Sequence, residues 1–60
     1  MNKKKNPFKK GDIVQYKNKN IRAKFRVYRL LGDHIQLEIV GTDAWFGTHP
    51  AAEFEMVVNV

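Results

Sequence analysis

Turn-forming residues recur so often in this chain that no stretch between them offers three turns of capped, amphipathic helix. Gly11-Asp12, Lys17-Asn18-Lys19-Asn20, Gly32-Asp33, Gly41-Thr42-Asp43 and Pro50 punctuate the sequence. The intervals they leave are about 4–8 residues, which is strand length. Ile13-Val14-Gln15-Tyr16 is β-branched and aromatic and reads as a first strand. In residues 24–31, Phe25 and Val27 fall on one face and Lys24 and Arg26 on the other; Tyr28-Arg29-Leu30-Leu31 then breaks the alternation. One extra residue swaps the faces of a strand, so the break predicts a bulge or a sharp bend. Ile35, Leu37 and Ile39 alternate with Gln36, Glu38 and Val40 in a third strand. Residues 44–47 read as a short fourth strand and residues 54–58 as a fifth. Between them, residues 48–53 suit one helical turn, with Thr48 or His49 before Pro50 in the first helical position. Helix is the alternative for residues 21–31 and 50–58, but neither has the length and caps to favour it. The prediction is an all-β domain: a small five-stranded antiparallel barrel with one short helical turn before the last strand.

At 60 residues, one domain is the ceiling. A chain of this size buries only about 60% of the surface its unfolded form exposes, so the core is small. With no cysteine, neither disulfides nor a thiolate zinc site can compensate. Residues 1–8, rich in Lys and Asn, read as a flexible basic tail, and residues 9–60 as the folded domain. The basic N-terminus runs into Asn6-Pro7-Phe8-Lys9-Lys10 rather than the apolar core of a signal peptide. No apolar run approaches the ~20 residues that span a bilayer. The expectation is a cytoplasmic protein with no membrane partner.

Lys10-Gly11-Asp12-Ile13-Val14 resembles the opening Lys-Gly-Asp-x-Val of KOW-type and related SH3-like barrels. Such barrels occur in transcription elongation factors, ribosomal proteins and many small bacterial and phage proteins. The layout downstream is also similar: a Gly-Asp hairpin between strands two and three, Trp45 on strand four, and a short turn into strand five. The resemblance implies an SH3-like barrel over residues 9–58. Residues 17–24 depart from the KOW pattern, lacking the Gly that KOW segments carry in the loop after the first strand.

Charge is segregated along the chain. All 11 Lys and Arg lie in residues 1–30, opposed only by Asp12, for a net +10; residues 31–60 hold five acids and neither Lys nor Arg, for −5. Such a split points to an anionic partner for the first half. The candidate nucleic-acid-binding residues are Lys9, Lys10, Lys17, Lys19, Arg22, Lys24, Arg26, Tyr28 and Arg29, with Lys3, Lys4 and Lys5 extending the positive surface into the tail. A solvated face that only keeps the protein soluble is the competing explanation. Most aromatics in so small a domain must be core, Phe25 and Phe54 first among them. Strand neighbours face opposite ways, so one of Trp45 and Phe46 is a candidate for exposure, as are Tyr16 and Tyr28. A surface-facing Tyr28 beside Arg26 and Arg29 would suit base stacking.

The inventory argues against an enzyme. There is no Ser, no Cys and no Gly-rich phosphate loop. His34 and His49, with Asp33 and Asp43, make a poor metal set, and His49 reads as a turn or capping residue. Glu53 and Glu55 fall on one strand face, where like charge favours solvent. No cofactor and no metal are expected. Two functions remain. One is a nucleic-acid-binding module that reads backbone charge, with DNA and RNA both open. The other is a protein-interaction module, such as a phage or mobile-element accessory or inhibitor protein that docks on a host protein. The acidic half could also meet a basic partner or another copy, and the sequence carries no signal for oligomeric state.

Overall fold

A computed structural model describes residues 6–57. Five strands follow one another: β1 (Ile13–Tyr16), β2 (Lys24–Leu31), β3 (His34–Ile39), β4 (Trp45–Pro50) and β5 (Phe54–Met56), with a 3-10 turn (Ala51–Glu53) before the last. They form one antiparallel sheet in the order β4-β3-β2-β1-β5. The expected all-β class, strand count and helical turn are present. Closure into a barrel is not: among the described residues no ladder joins β4 to β5, and the sheet is open at both strands. The ends are tied by other means. The Ala51 amide donates to the Asp33 carbonyl at 2.9 Å, and the Lys17 amide to the Glu53 carbonyl at 3.0 Å.

The core lies against the sheet's inner face. Val14, Phe25, Val27, Ile35, Leu37 and Phe54 are buried there with Phe8 and Ala51. Each large side chain so buried stabilises by about 1.5–3 kcal/mol. Tyr16 and Phe46 are half-buried and complete an aromatic network: Phe25 stacks on Phe46 at 4.4 Å, and Tyr16 lies 4.3 Å from Phe54. Phe25 and Phe54 are buried as the sequence reading expects.

Two bulges shape the sheet. In β2, Val27 pairs with Leu37 and Arg29 with Gln36, leaving Tyr28 unmatched at the predicted break. In β4, Gly47 pairs with Leu37 and Trp45 with Glu38, leaving Phe46 unmatched. Gly47 takes φ +99, a region that side chains with a Cβ strongly disfavour. At the β2–β3 hairpin, Leu31 pairs with His34 across a two-residue loop, and Gly32 supplies the positive φ, 59°, that such a loop needs.

Three expectations need correction. Residues 6–8 are not tail: Phe8 is only 4% exposed, and the Asn6 amide donates to the carbonyls of Gly32 and His34, both at 3.0 Å, clasping the hairpin. An apolar ring hidden in a polar stretch has no alternation to announce it. Residues 1–5 lie outside the described residues, and with them Lys3, Lys4 and Lys5. The helical turn is shorter than expected, because Thr48, His49 and Pro50 extend β4 by pairing with Gln36, Ile35 and His34. Pro50 therefore precedes the turn rather than opening it. Finally, β5 ends at Met56, with the Val57 amide still bonded to the Ile13 carbonyl at 3.1 Å; Val58 lies outside the described residues.

Candidate nucleic-acid interface

Strand register decides which side chains share the outer face. Arg26 stands opposite Ile13 on β1 and Glu38 on β3, and Glu38 stands opposite Trp45 on β4. The next outward row places Arg29 opposite Gln36, and Gln36 opposite Thr48. At the other end of β2, Lys24 pairs with Gln15, which pairs with Glu55.

Most of the candidate cations line three different depressions. Lys10, Tyr28, Arg29 and Leu30 line one open depression of about 530 Å³. Lys19, Arg22 and Lys24 line a second, of about 330 Å³, with Gln15, Tyr16 and Ile21. Lys17 belongs to a third, with Asn18, Ile21 and Glu53. Lys9 sits in the turn before β1, where its backbone amide donates to the Asp12 carboxylate at 2.8 Å.

Arg26 lies between the first two groups, and its charge is already answered. Its Nη1 is 3.3 Å from Asp43 Oδ1 and 3.7 Å from Glu38 Oε1. Asp43 reaches it from a left-handed backbone (φ 60) that Asp tolerates better than most residues. Lys19 is likewise paired, with Glu55 at 3.3 Å. The Gln15 amide also donates to Glu55 at 2.8 Å; this bond first, then Lys19, holds the Glu55 carboxyl below its ordinary value. Acidic β3 and the loop after it fold back on basic β2, so part of the charge split along the sequence cancels in space. Among the described residues, Lys9, Lys10, Lys17, Arg22, Lys24 and Arg29 make no ion pair.

On the outer face, two aromatic residues are exposed to solvent, Tyr28 beside Arg29 and Trp45 in the row of Arg26. Tyr28 is 48% exposed and Trp45 57% exposed, and they meet edge to face with centroids 5.8 Å apart. Trp45 is absent from the candidate set drawn from sequence. Alternation says that either Trp45 or Phe46 faces out; the β4 bulge decides, turning Phe46 onto Phe25 and His49. Tyr16 faces the core network instead, and burial, with the charge of Glu53 second, pushes its hydroxyl pKa up.

His49 sits in β4, where its Nε2–H donates to the Phe46 carbonyl at 2.9 Å and its ring stacks on Phe46; it caps no helix. Glu53 lies on the 3-10 turn and Glu55 on β5, so they do not share a strand face. His34 Nδ1 and Asp33 are 2.8 Å apart at the hairpin. No group of three or more His, Cys, Asp or Glu among the described residues could hold a metal ion. No helix there is long and apolar enough to cross a membrane. Comparison with protein-family models, curated proteins and solved structures finds no match to this chain.

Proposed function

We propose that this domain is a non-enzymatic nucleic-acid-binding module that takes phosphates against the outer face of its sheet, around Lys10 and Arg29. The observation that carries the reading is their convergence with Tyr28 on one open depression, with no carboxylate paired to either cation. Arg29 faces neutral Gln36 across the ladder, whereas Arg26 faces Glu38. Unpaired cations are free to displace condensed counterions from phosphates; a paired one must first leave its partners. The strand order, with β1 between β2 and β5 and a 3-10 turn before β5, supports reading the architecture as an SH3-like barrel closed by packing rather than by a ladder. The Lys10-Gly11-Asp12-Ile13-Val14 opening points the same way.

The test is binding of labelled DNA and RNA oligonucleotides followed by anisotropy over a salt series. Affinity should fall steeply with salt. Lys10→Gln and Arg29→Gln should each weaken binding and reduce the log–log salt slope by about 1, while Arg26→Gln should change the slope less. Absence of binding at low salt defeats the reading.

A protein-interaction role is the second reading. It is favoured by Met56, 46% exposed on open strand β5, which with Ile13 and Val57 lines a depression that Asp12 and Lys24 also border. Such an edge can accept a peptide strand. Recovery of one specific protein from nuclease-treated lysate, without nucleic acid, would favour it.

A further inference from the structure

Tyr28 and Trp45 pair with each other on the outer face and stay exposed. Edge-to-face contact between two rings contributes about 0.5–1.5 kcal/mol, yet both residues stay about half exposed, 48% and 57%. In an edge-to-face pair at 88° the edge of one ring meets the face of the other, so the contact itself takes up one face of the pair. The surroundings of Tyr28 supply positive charge for a ligand, while Trp45 stands across the ladder from Glu38. Arg29 and Lys10 border Tyr28 without ion pairs, while the cation in the row of Trp45, Arg26, is held by Glu38 and Asp43. An apolar protein surface would gain nothing from the two free cations, and a phosphate alone would gain nothing from the two rings. A chain that alternates flat apolar rings with anions uses both.

Resting on the nucleic-acid reading above, we propose that Tyr28 and Trp45 form a base-stacking platform, and that the domain therefore prefers single-stranded nucleic acid to duplex. An unpaired base stacks on the rings while the adjacent phosphates lie against Arg29 and Lys10. Bases inside a duplex stack on one another and cannot reach the platform. The elements recognised, base face and phosphate, are common to DNA and RNA.

Trp45 is the only tryptophan, so its emission reports on this place alone. The experiment titrates wild-type protein with a short oligothymidylate, the matching oligouridylate and a mixed-sequence duplex of equal length. In parallel, Trp45→Ala, Tyr28→Ala and Trp45→Phe are compared by anisotropy after circular dichroism has checked their folding. The single strands should quench Trp45 and the duplex should not. Each Ala variant should bind single strands between about fivefold and a hundredfold more weakly, with duplex affinity and salt slope unchanged; Trp45→Phe should recover most of the loss. If wild type binds both forms equally, without quenching, and the Ala variants match it, the platform is overturned and the phosphate reading stands. If wild type binds none of the three at low salt, both fall. Quenching in the native protein keeps the test decisive even where a variant does not fold.

Discussion

Phe25 and Tyr28 are three residues apart on one strand and belong to two aromatic groups with opposite environments. On the inner face Phe25 is buried within a ring network with Tyr16, Phe46 and Phe54. On the outer face Tyr28 has only Trp45, and both stand in water. Ring chemistry does not separate the groups. Two bulges do: the one in β2 leaves Tyr28 unmatched toward solvent, and the one in β4 turns Phe46 inward beside outward Trp45. Rings packed against rings hold the fold together and offer nothing to a ligand. Residues half exposed on the outer face bury less surface and so contribute less to stability.

The sharpest break of this contrast is stability after truncation. Phe25→Ala should cost about 3–5 kcal/mol through lost burial and the cavity left behind. That is comparable to the whole stability of so small a domain, at roughly 0.05–0.15 kcal/mol per residue, so the variant should be largely unfolded at room temperature. Trp45→Ala should lose only the ring pair, about 0.5–1.5 kcal/mol, and stay folded. Urea denaturation followed by far-ultraviolet circular dichroism reads both. Equal destabilisation would mean that the outer pair is structural after all.

A smaller effect concerns charge on the outer face. The Gln15 amide and Lys19 hold the Glu55 carboxyl below its ordinary value. A carboxylate lowered on folding stabilises the native state above its unfolded pKa, and that contribution disappears as pH falls through the folded value. Thermal midpoint against pH should therefore drop slightly more for wild type than for Glu55→Gln in that acidic window. Because Glu55 is close to solvent, the difference should be small and should shrink with salt.

Strand β1, strand β2 and its break at Tyr28, and the Gly32-Asp33 hairpin are legible in the sequence because local rules govern them: alternation, β-branching and glycine in a turn. Phe8 is not, since its burial depends on Asn6 clasping a hairpin some two dozen residues away. Nor is the extension of β4 through Pro50, which depends on pairing with β3. The candidate interface divides in the same way. Charge segregation points to β2, and alternation flags Tyr28, but linear charge takes no account of the acidic strand that folds beside a basic one. Arg26 loses its availability to Glu38 and Asp43, and Trp45 joins the surface, through register alone.

Amide and indole chemical-shift mapping with isotope-labelled protein tests the outer-face account most directly. On adding a single-stranded oligonucleotide at low salt, the largest shifts should fall on Lys10, Tyr28, Arg29 and the Trp45 indole, with Phe25 and Phe54 nearly still. Shifts centred on Lys17, Lys19 and Arg22, or on Met56 at the β5 edge, would contradict it.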